Sequence, residues 1–236
     1  MNIILLNQAD WIDEQTVVLR DRRAEHIRTV LKSQIGDSLR VALLHGDCGQ
    51  GVVRALEAEA VTLQVELGEP PPPRHRFDLV LALPRPKMLR RMLRQCAEFG
   101  VQHLHLINSA RVEKSYWQSP LLHTDRLFEA LKAGLERSKD SLPPRVHFHR
   151  RFRPFVEDEL SQLCGGRPCW ITDPSGPQSL AEAAAGPAVV MIGPEGGFVP
   201  FEVELAESVI AQRVHLGSRI LSADTALTTV LAQSLP

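Results

Sequence analysis

Ala188-Val189-Val190-Met191-Ile192-Gly193-Pro194-Glu195-Gly196-Gly197 is the stretch on which the reading of this chain turns. An apolar run this short, stopped by a glycine-proline turn, reads as a parallel strand buried on both faces. Pro200 then opens an acidic segment with Phe201, Leu205 and Val209 at helical spacing, and Glu202 and Glu204 suit the positive start of a helix. The unit is strand, glycine turn, helix, with the turn at the carboxyl end of the strand, where open α/β sheets place ligands. Glycines there let backbone groups approach a ligand closely, and a simple tight connection would need them too. A phosphate fits less well: the turn carries Glu195 and lacks a Gly-Lys-Ser/Thr ending. A neutral or cationic ligand held by backbone groups suits these residues better.

Working outward, 236 residues allow one large or two modest domains, and a formal charge of −1 shows no global attraction to nucleic acid. No apolar run is long enough for a membrane span, and Met1 to Asn7 lacks the basic start of a signal peptide, so a cytoplasmic protein is expected. Cys48, Cys96, Cys164 and Cys169 show no C-x-x-C spacing and read as buried thiols. Up to residue 69 the chain is β-rich, with strands at Thr16–Leu19, Ser38–Leu44, Gly51–Val53 and Val61–Val65, a glycine-rich loop over 45–51 and a helix from Ala24 to Leu31. Strands at this spacing suggest a small barrel. Pro70 to Pro73 open a stiff linker over 70–76, which makes 1–69 and 77–236 the expected domains.

The second domain alternates. Asp78–Leu83 and Val101–Ile107 read as strands, and Lys87–Phe99, Arg126–Leu135 and Ala223–Leu235 as helices. This pattern predicts a largely parallel sheet covered by helices. Arg22, Arg23, Arg28 and Lys32 in the first domain form a basic cluster that is either a solvated face or an RNA surface. Arg85, Lys87, Arg90, Arg91 and Arg94, with no acid among them, are a denser signal for RNA. Phe148, Phe152 and Phe155 among arginines suit strand packing as well as base stacking. His103-x-His105 and His147-x-His149 lack a third ligand at a recognised spacing, so they are taken as partly exposed strand residues and no metal is expected. There is no G-x-S-x-G elbow, P-loop or dinucleotide fingerprint.

Ile192-Gly193-Pro194-Glu195-Gly196-Gly197-Phe198, then Glu202, Leu216-Gly217-Ser218-Arg219-Ile220-Leu221 and Thr225-Ala226 resemble the SPOUT-class methyltransferases. Within that class they are similar to the bacterial family that methylates N3 of a uridine in small-subunit (16S) ribosomal RNA. The resemblance extends over His26–Leu31, Gly36-Asp37, Ala97–Val101 and Ser109-Ala110-Arg111 with Lys114. It implies an α/β fold: a C-terminal trefoil-knotted SPOUT domain after a small N-terminal PUA-like β-barrel. It also implies a homodimer acting on the RNA or the 30S subunit. S-adenosyl-L-methionine would lie among Thr172, Asp173, Pro174, Ile192, Gly193, Pro194, Glu195, Gly196, Gly197, Leu216, Gly217, Ser218, Ile220 and Leu221.

Glu195 and Arg219 are the catalytic candidates, Glu195 as a base or as a cap of its own turn, Arg219 as stabiliser of the uracil oxygens. Arg111, Lys114 and Arg137 join the RNA contacts. Ser222-Ala223-Asp224-Thr225 departs from the family's Arg-x-Glu-Thr, and Arg137 and Lys139 stand where it favours Gln and Arg. The alternatives are a SPOUT enzyme acting on another RNA position or a ribose hydroxyl, and a catalytically weak RNA-binding protein with the same fold.

Overall fold

In the computed structural model, which describes residues 1–183 and 186–233, the chain divides into two compact units: Met1–Pro73 with Leu135–Pro143, and Arg74–Gly134 with Pro144–Pro236. The first holds β1 (Ile4–Leu6), β2 (Thr16–Leu19), α1 (Arg22–Thr29), β3 (Ser38–Leu43), β4 (Cys48–Leu56) and β5 (Val61–Glu69). The strands form one sheet ordered β1-β3-β4-β5-β2, antiparallel except for the β1–β3 pair. Alternation along β5 turns Val61, Leu63 and Val65 inward, onto Ile4, Leu6, Val17, Leu19, Ile27 and Val41.

Two features of this unit differ from expectation. β4 starts at Cys48, so the loop expected over 45–51 shrinks to a turn at 44–47. A Cβ on Gly49 would sit 1.9 Å from the Glu66 carbonyl oxygen, next to a register shift at Cys48/Gly49. The glycine marks close strand approach at a bulge and not a loop. Residues 135–143, assigned from sequence to the second domain, count with the first. There the Asn2 N–H donates to the Glu136 carbonyl (2.7 Å), and the His45 N–H to that of Ser141 (2.9 Å).

The second unit contains β6 (Phe77–Ala82), α2 (Pro86–Glu98), β7 (His103–Ile107), most of α3 (Thr124–Ser138), β8 (Arg145–His149), α4 (Phe152–Pro154), a π-helical turn at Phe155–Glu159, α5 (Leu160–Cys164) and β9 (Cys169–Thr172). Then come β10 (Gln178–Ser179), α6 (Leu180–Ala183), β11 (Ala188–Ile192), α7 (Pro200–Val209), β12 (Ala211–His215) and α8 (Ala223–Ala232). Position 235, the expected end of the last helix, lies outside the described residues. Seven strands form one sheet, β10-β12-β9-β11-β6-β7-β8, and every pairing is parallel. Every residue of β6 and β11 is buried, which explains the apolar run of β11 and that of Leu79–Ala82 in β6, where the one buried acid, Asp78, is paired with Arg167. Each aliphatic side chain buried there contributes about 1.5–3 kcal/mol. The four cysteines are buried and unpaired.

α7 is rotated from its expected face. Glu202, Val203 and Ala206 are buried, Phe201 is exposed, and Leu205 and Val209 are only half-buried. The cause is Glu202: it is 3% exposed and its carboxylate accepts from the backbone N–H groups of Ala110 (2.7 Å) and Val199 (3.0 Å). Phe152 and Phe155, expected on a strand, lie on the helical stretch after β8 and are buried, whereas Phe148 on β8 is exposed.

His75 fixes a pH dependence. Its Nδ1 accepts from the Phe77 N–H (3.0 Å), and its Nε2 lies 3.0 Å from the Leu231 carbonyl oxygen, so the neutral ring satisfies both partners. Burial holds its pKa below the ordinary value of about 6.5. The unfolded chain therefore takes up a proton that the folded chain resists, and stability falls as pH drops below about 6.5. In urea unfolding between pH 7.5 and 5.5, the midpoint is expected to fall, and to fall less in His75→Asn.

Candidate active site

β12, β9 and β11 are adjacent and parallel, so the loops leaving them open along one edge of the sheet. Each loop is tied to a neighbour. Thr172 Oγ1 donates to the Met191 carbonyl (3.0 Å), and the Asp173 N–H to that of Val214 (2.9 Å). The turn after β11 is closed by the Gly197 N–H on the Pro194 carbonyl (2.8 Å), with Gly197 at φ +73°. A Cβ on Gly193 would come within 3.0 Å of the Phe198 nitrogen and 3.1 Å of the Gly197 Cα, so the turn has almost no room for a side chain.

Between these loops lies a cavity of about 330 Å³, within the size range of small-molecule sites. Thr172, Asp173, Pro174, Ile192, Gly193, Pro194, Glu195, Gly196, Gly197, Leu216, Gly217, Arg219, Ile220 and Leu221 line it. Ser218 belongs to the third loop but is not on the wall. Four residues outside the expected cofactor and catalytic sets complete the lining: Arg111, Phe198, Ala223 and Ala226. Phe198 and Ala226 stood within the quoted motifs. Arg111, expected among the RNA contacts, donates from its guanidinium to the Gly196 carbonyl.

The charged groups on the cavity wall are two cations, Arg111 and Arg219, and two carboxylates, Asp173 and Glu195. At the start of α7, where helices elsewhere cradle phosphates, the Val199 N–H is taken by the buried Glu202 carboxylate (3.0 Å). Glu195 does not cap its own turn: Oε1 accepts from the Arg85 backbone N–H and Nε, both at 3.2 Å. Among the described residues, no hydrogen bond or ion pair engages Arg219, which stands exposed on the cavity wall. Asp224 is held by Ser222 Oγ (2.6 Å) and Arg91 (3.2 Å), and the Ser222 hydrogen bond, then Arg91, pull its pKa below the usual carboxylate range.

The expected RNA contacts separate into three groups. Arg23 is corrected: it is 3% exposed, with its guanidinium on Asp10 (2.6 Å), Asp21 (2.9 Å) and the Leu5 carbonyl (2.6 Å), so it holds the first unit together. Arg22 pairs with Glu136, and Arg28 donates to the Glu57 carbonyl (2.9 Å). Lys32, Lys87, Lys114 and Arg137 are exposed. Of the cations between 85 and 94, Arg85, Arg91 and Arg94 pair with Glu195, Asp224 and Glu98.

An RNA methyltransferase domain model matches residues 70–234. Ribosomal RNA small subunit methyltransferase E of Synechocystis is 31% identical over 95% of this chain and 74% of its own length. The chain belongs to the family of ribosomal RNA small subunit methyltransferase E. The Treponema pallidum member is 27% identical over 98% of the chain and 90% of its own length. The fold is that of the family's solved member from Neisseria gonorrhoeae, bound to S-adenosyl methionine: TM-score 0.76, 21% identity, 98% of this chain and 95% of that one. It is also that of a Legionella pneumophila methyltransferase in complex with the same molecule, with TM-score 0.73, 18% identity and 98% and 95% coverage.

Proposed function

We propose that this chain transfers a methyl group from S-adenosylmethionine to N3 of a uridine in small-subunit ribosomal RNA. The observation that carries the reading is the three-loop cavity. Its size suits a nucleoside-sized ligand, and its walls combine glycine backbone with Ile192, Leu216 and Leu221 for an adenine. The names carried by the family's members support the substrate, and the motifs over 192–198 and 216–226 support uridine N3. A trefoil-knotted second unit, a PUA-like first unit and a cytoplasmic setting belong to the same reading. So does a homodimer: Ile220 on the cavity wall is 91% exposed and Phe201 54%, apolar surface that suits a second copy.

The chemistry the donor supplies is a methyl carbon made electrophilic by a cationic sulfur. The chain's part is to align that carbon with the attacking nitrogen, which is worth about 7–11 kcal/mol when the geometry is held. Uracil N3 must lose its proton, and Arg219, free at the cavity wall, faces the charge that develops on the flanking oxygens. Glu195 fixes Arg85 at the same rim, so its place is in positioning, with the proton leaving to water. A stacked or paired uridine has to be turned out to reach the cavity. Mass mapping of modified nucleosides in ribosomal RNA from a strain lacking the gene is expected to show one missing 3-methyluridine. A missing ribose methylation, or an unchanged pattern, would overturn the reading in favour of another RNA target or a binding role.

A further inference from the structure

His103 and His105 lie on β7, His147 and His149 on the edge strand β8, and the parallel register sets His105 directly opposite His147. Spacing along the sequence could not show this, because the pairs are far apart in the chain and meet only through the ladder. The four rings form a stack on one face, with His105 and His147 centroids 4.4 Å apart and their planes 12° from parallel. His103 Nδ1 lies 3.2 Å from His147 Nε2, and His105 Nδ1 lies 3.0 Å from His149 Nε2.

The hydrogen bonds set the tautomers. Glu159 lies 3.2 Å from His149 Nδ1, so that nitrogen carries the proton and donates to the carboxylate. His149 Nε2 is then a lone pair, which accepts from a proton on His105 Nδ1. His105 Nε2 is left without a proton, as a buried imidazole lone pair. Potential ligand nitrogens of His103, His105 and His147 all lie within 4.8 Å of one another. Two nitrogens on one tetrahedral zinc-class ion are about 3.3 Å apart at bond lengths near 2.0–2.1 Å. The His103–His147 separation already matches, and the remaining ones, within 4.8 Å, close as the rings rotate out of the stack. Two cations lie close to these imidazoles: Arg167, neutralised by Asp78 at 2.6 Å, and Arg145, which is opposite His103 in the ladder and exposed to solvent. His103 and His147 are half-exposed, which leaves an entry path.

We infer that His103, His105 and His147 bind a divalent transition metal of the zinc class, oriented through His149 and Glu159. Neutral imidazole ligands select borderline ions such as Zn²⁺ over Mg²⁺ or Ca²⁺. The ion clips edge strand β8 to β7, at the opposite end of the sheet from the loops of β12, β9 and β11. It takes no part in methyl transfer.

The test uses the full, untagged chain stripped with chelator and titrated with Co²⁺, then with competing Zn²⁺. Expected are visible d–d bands of nitrogen-bound Co²⁺ saturating at one ion per chain, their loss on adding Zn²⁺, and a higher melting temperature with Zn²⁺. His147→Gln should abolish the bands. Glu159→Gln, at a side chain 55% exposed and so safe for folding, should keep the stoichiometry but weaken affinity about 10–100-fold. His123→Gln, outside the cluster, should change nothing. Absent bands, or affinity equal in wild type and Glu159→Gln, would overturn the proposal and leave the stack a hydrogen-bonded pairing of strands.

Discussion

Arg219→Ala is expected to slow methyl transfer to ribosomal RNA about 10²–10³-fold, equivalent to roughly 2.7–4 kcal/mol, with affinity for S-adenosylmethionine unchanged. The argument rests on its placement. Arg219 stands on the cavity wall with no partner among the described residues, whereas Glu195, the other catalytic candidate, is already engaged by Arg85. Removing a group that stabilises charge only as it develops lowers the turnover rate and leaves ground-state binding untouched. Single-turnover rates with saturating donor, set beside a binding titration, separate the two quantities. Donor affinity falling as far as the rate would show that Arg219 instead shapes the cofactor pocket.

Arg23→Ala is expected to destabilise the first unit by about 3 kcal/mol, the lower end for breaking a buried ion pair, because one of its partners stays half in water. Burial works against the arginine's charge, and hydrogen bonds to Asp10 and Asp21 outweigh it and raise its pKa. Removing it leaves the Asp10 carboxylate, 12% exposed, without its main counter-charge. Denaturant unfolding of Arg23→Ala beside Lys32→Ala checks this. The lysine variant should keep wild-type stability, because Lys32 projects into solvent. Equal stabilities would return Arg23 to the list of surface cations.

These two arginines show what a single sequence carries. The apolar run Ala188–Ile192 and the glycine turn after it announced a buried parallel strand and a loop at its carboxyl end, because burial on both faces and the exclusion of side chains each leave a mark on composition. The walls of the cavity were legible for the same reason. Pairing between distant segments was not. Nothing near Arg23 in the chain marks it as buried, since Asp10 meets it only after the 3₁₀ turn Gln8–Asp10 and α1 have come together. Glu202 looked like an ordinary acid at a helix start, yet its second hydrogen bond, to Ala110, turns α7 and exposes Phe201. The histidines on β7 and β8 were separated by the same gap between spacing along a chain and register across a sheet.

The most direct test is a calorimetric titration of the intact chain with S-adenosylmethionine, run beside Gly193→Val. One saturable site per chain is expected, with the valine variant weaker by about 1–3 kcal/mol, the cost of forcing a branched side chain against the turn's own backbone. Absence of binding by the wild type, or equal affinity in both proteins, would contradict a donor site built from the three loops.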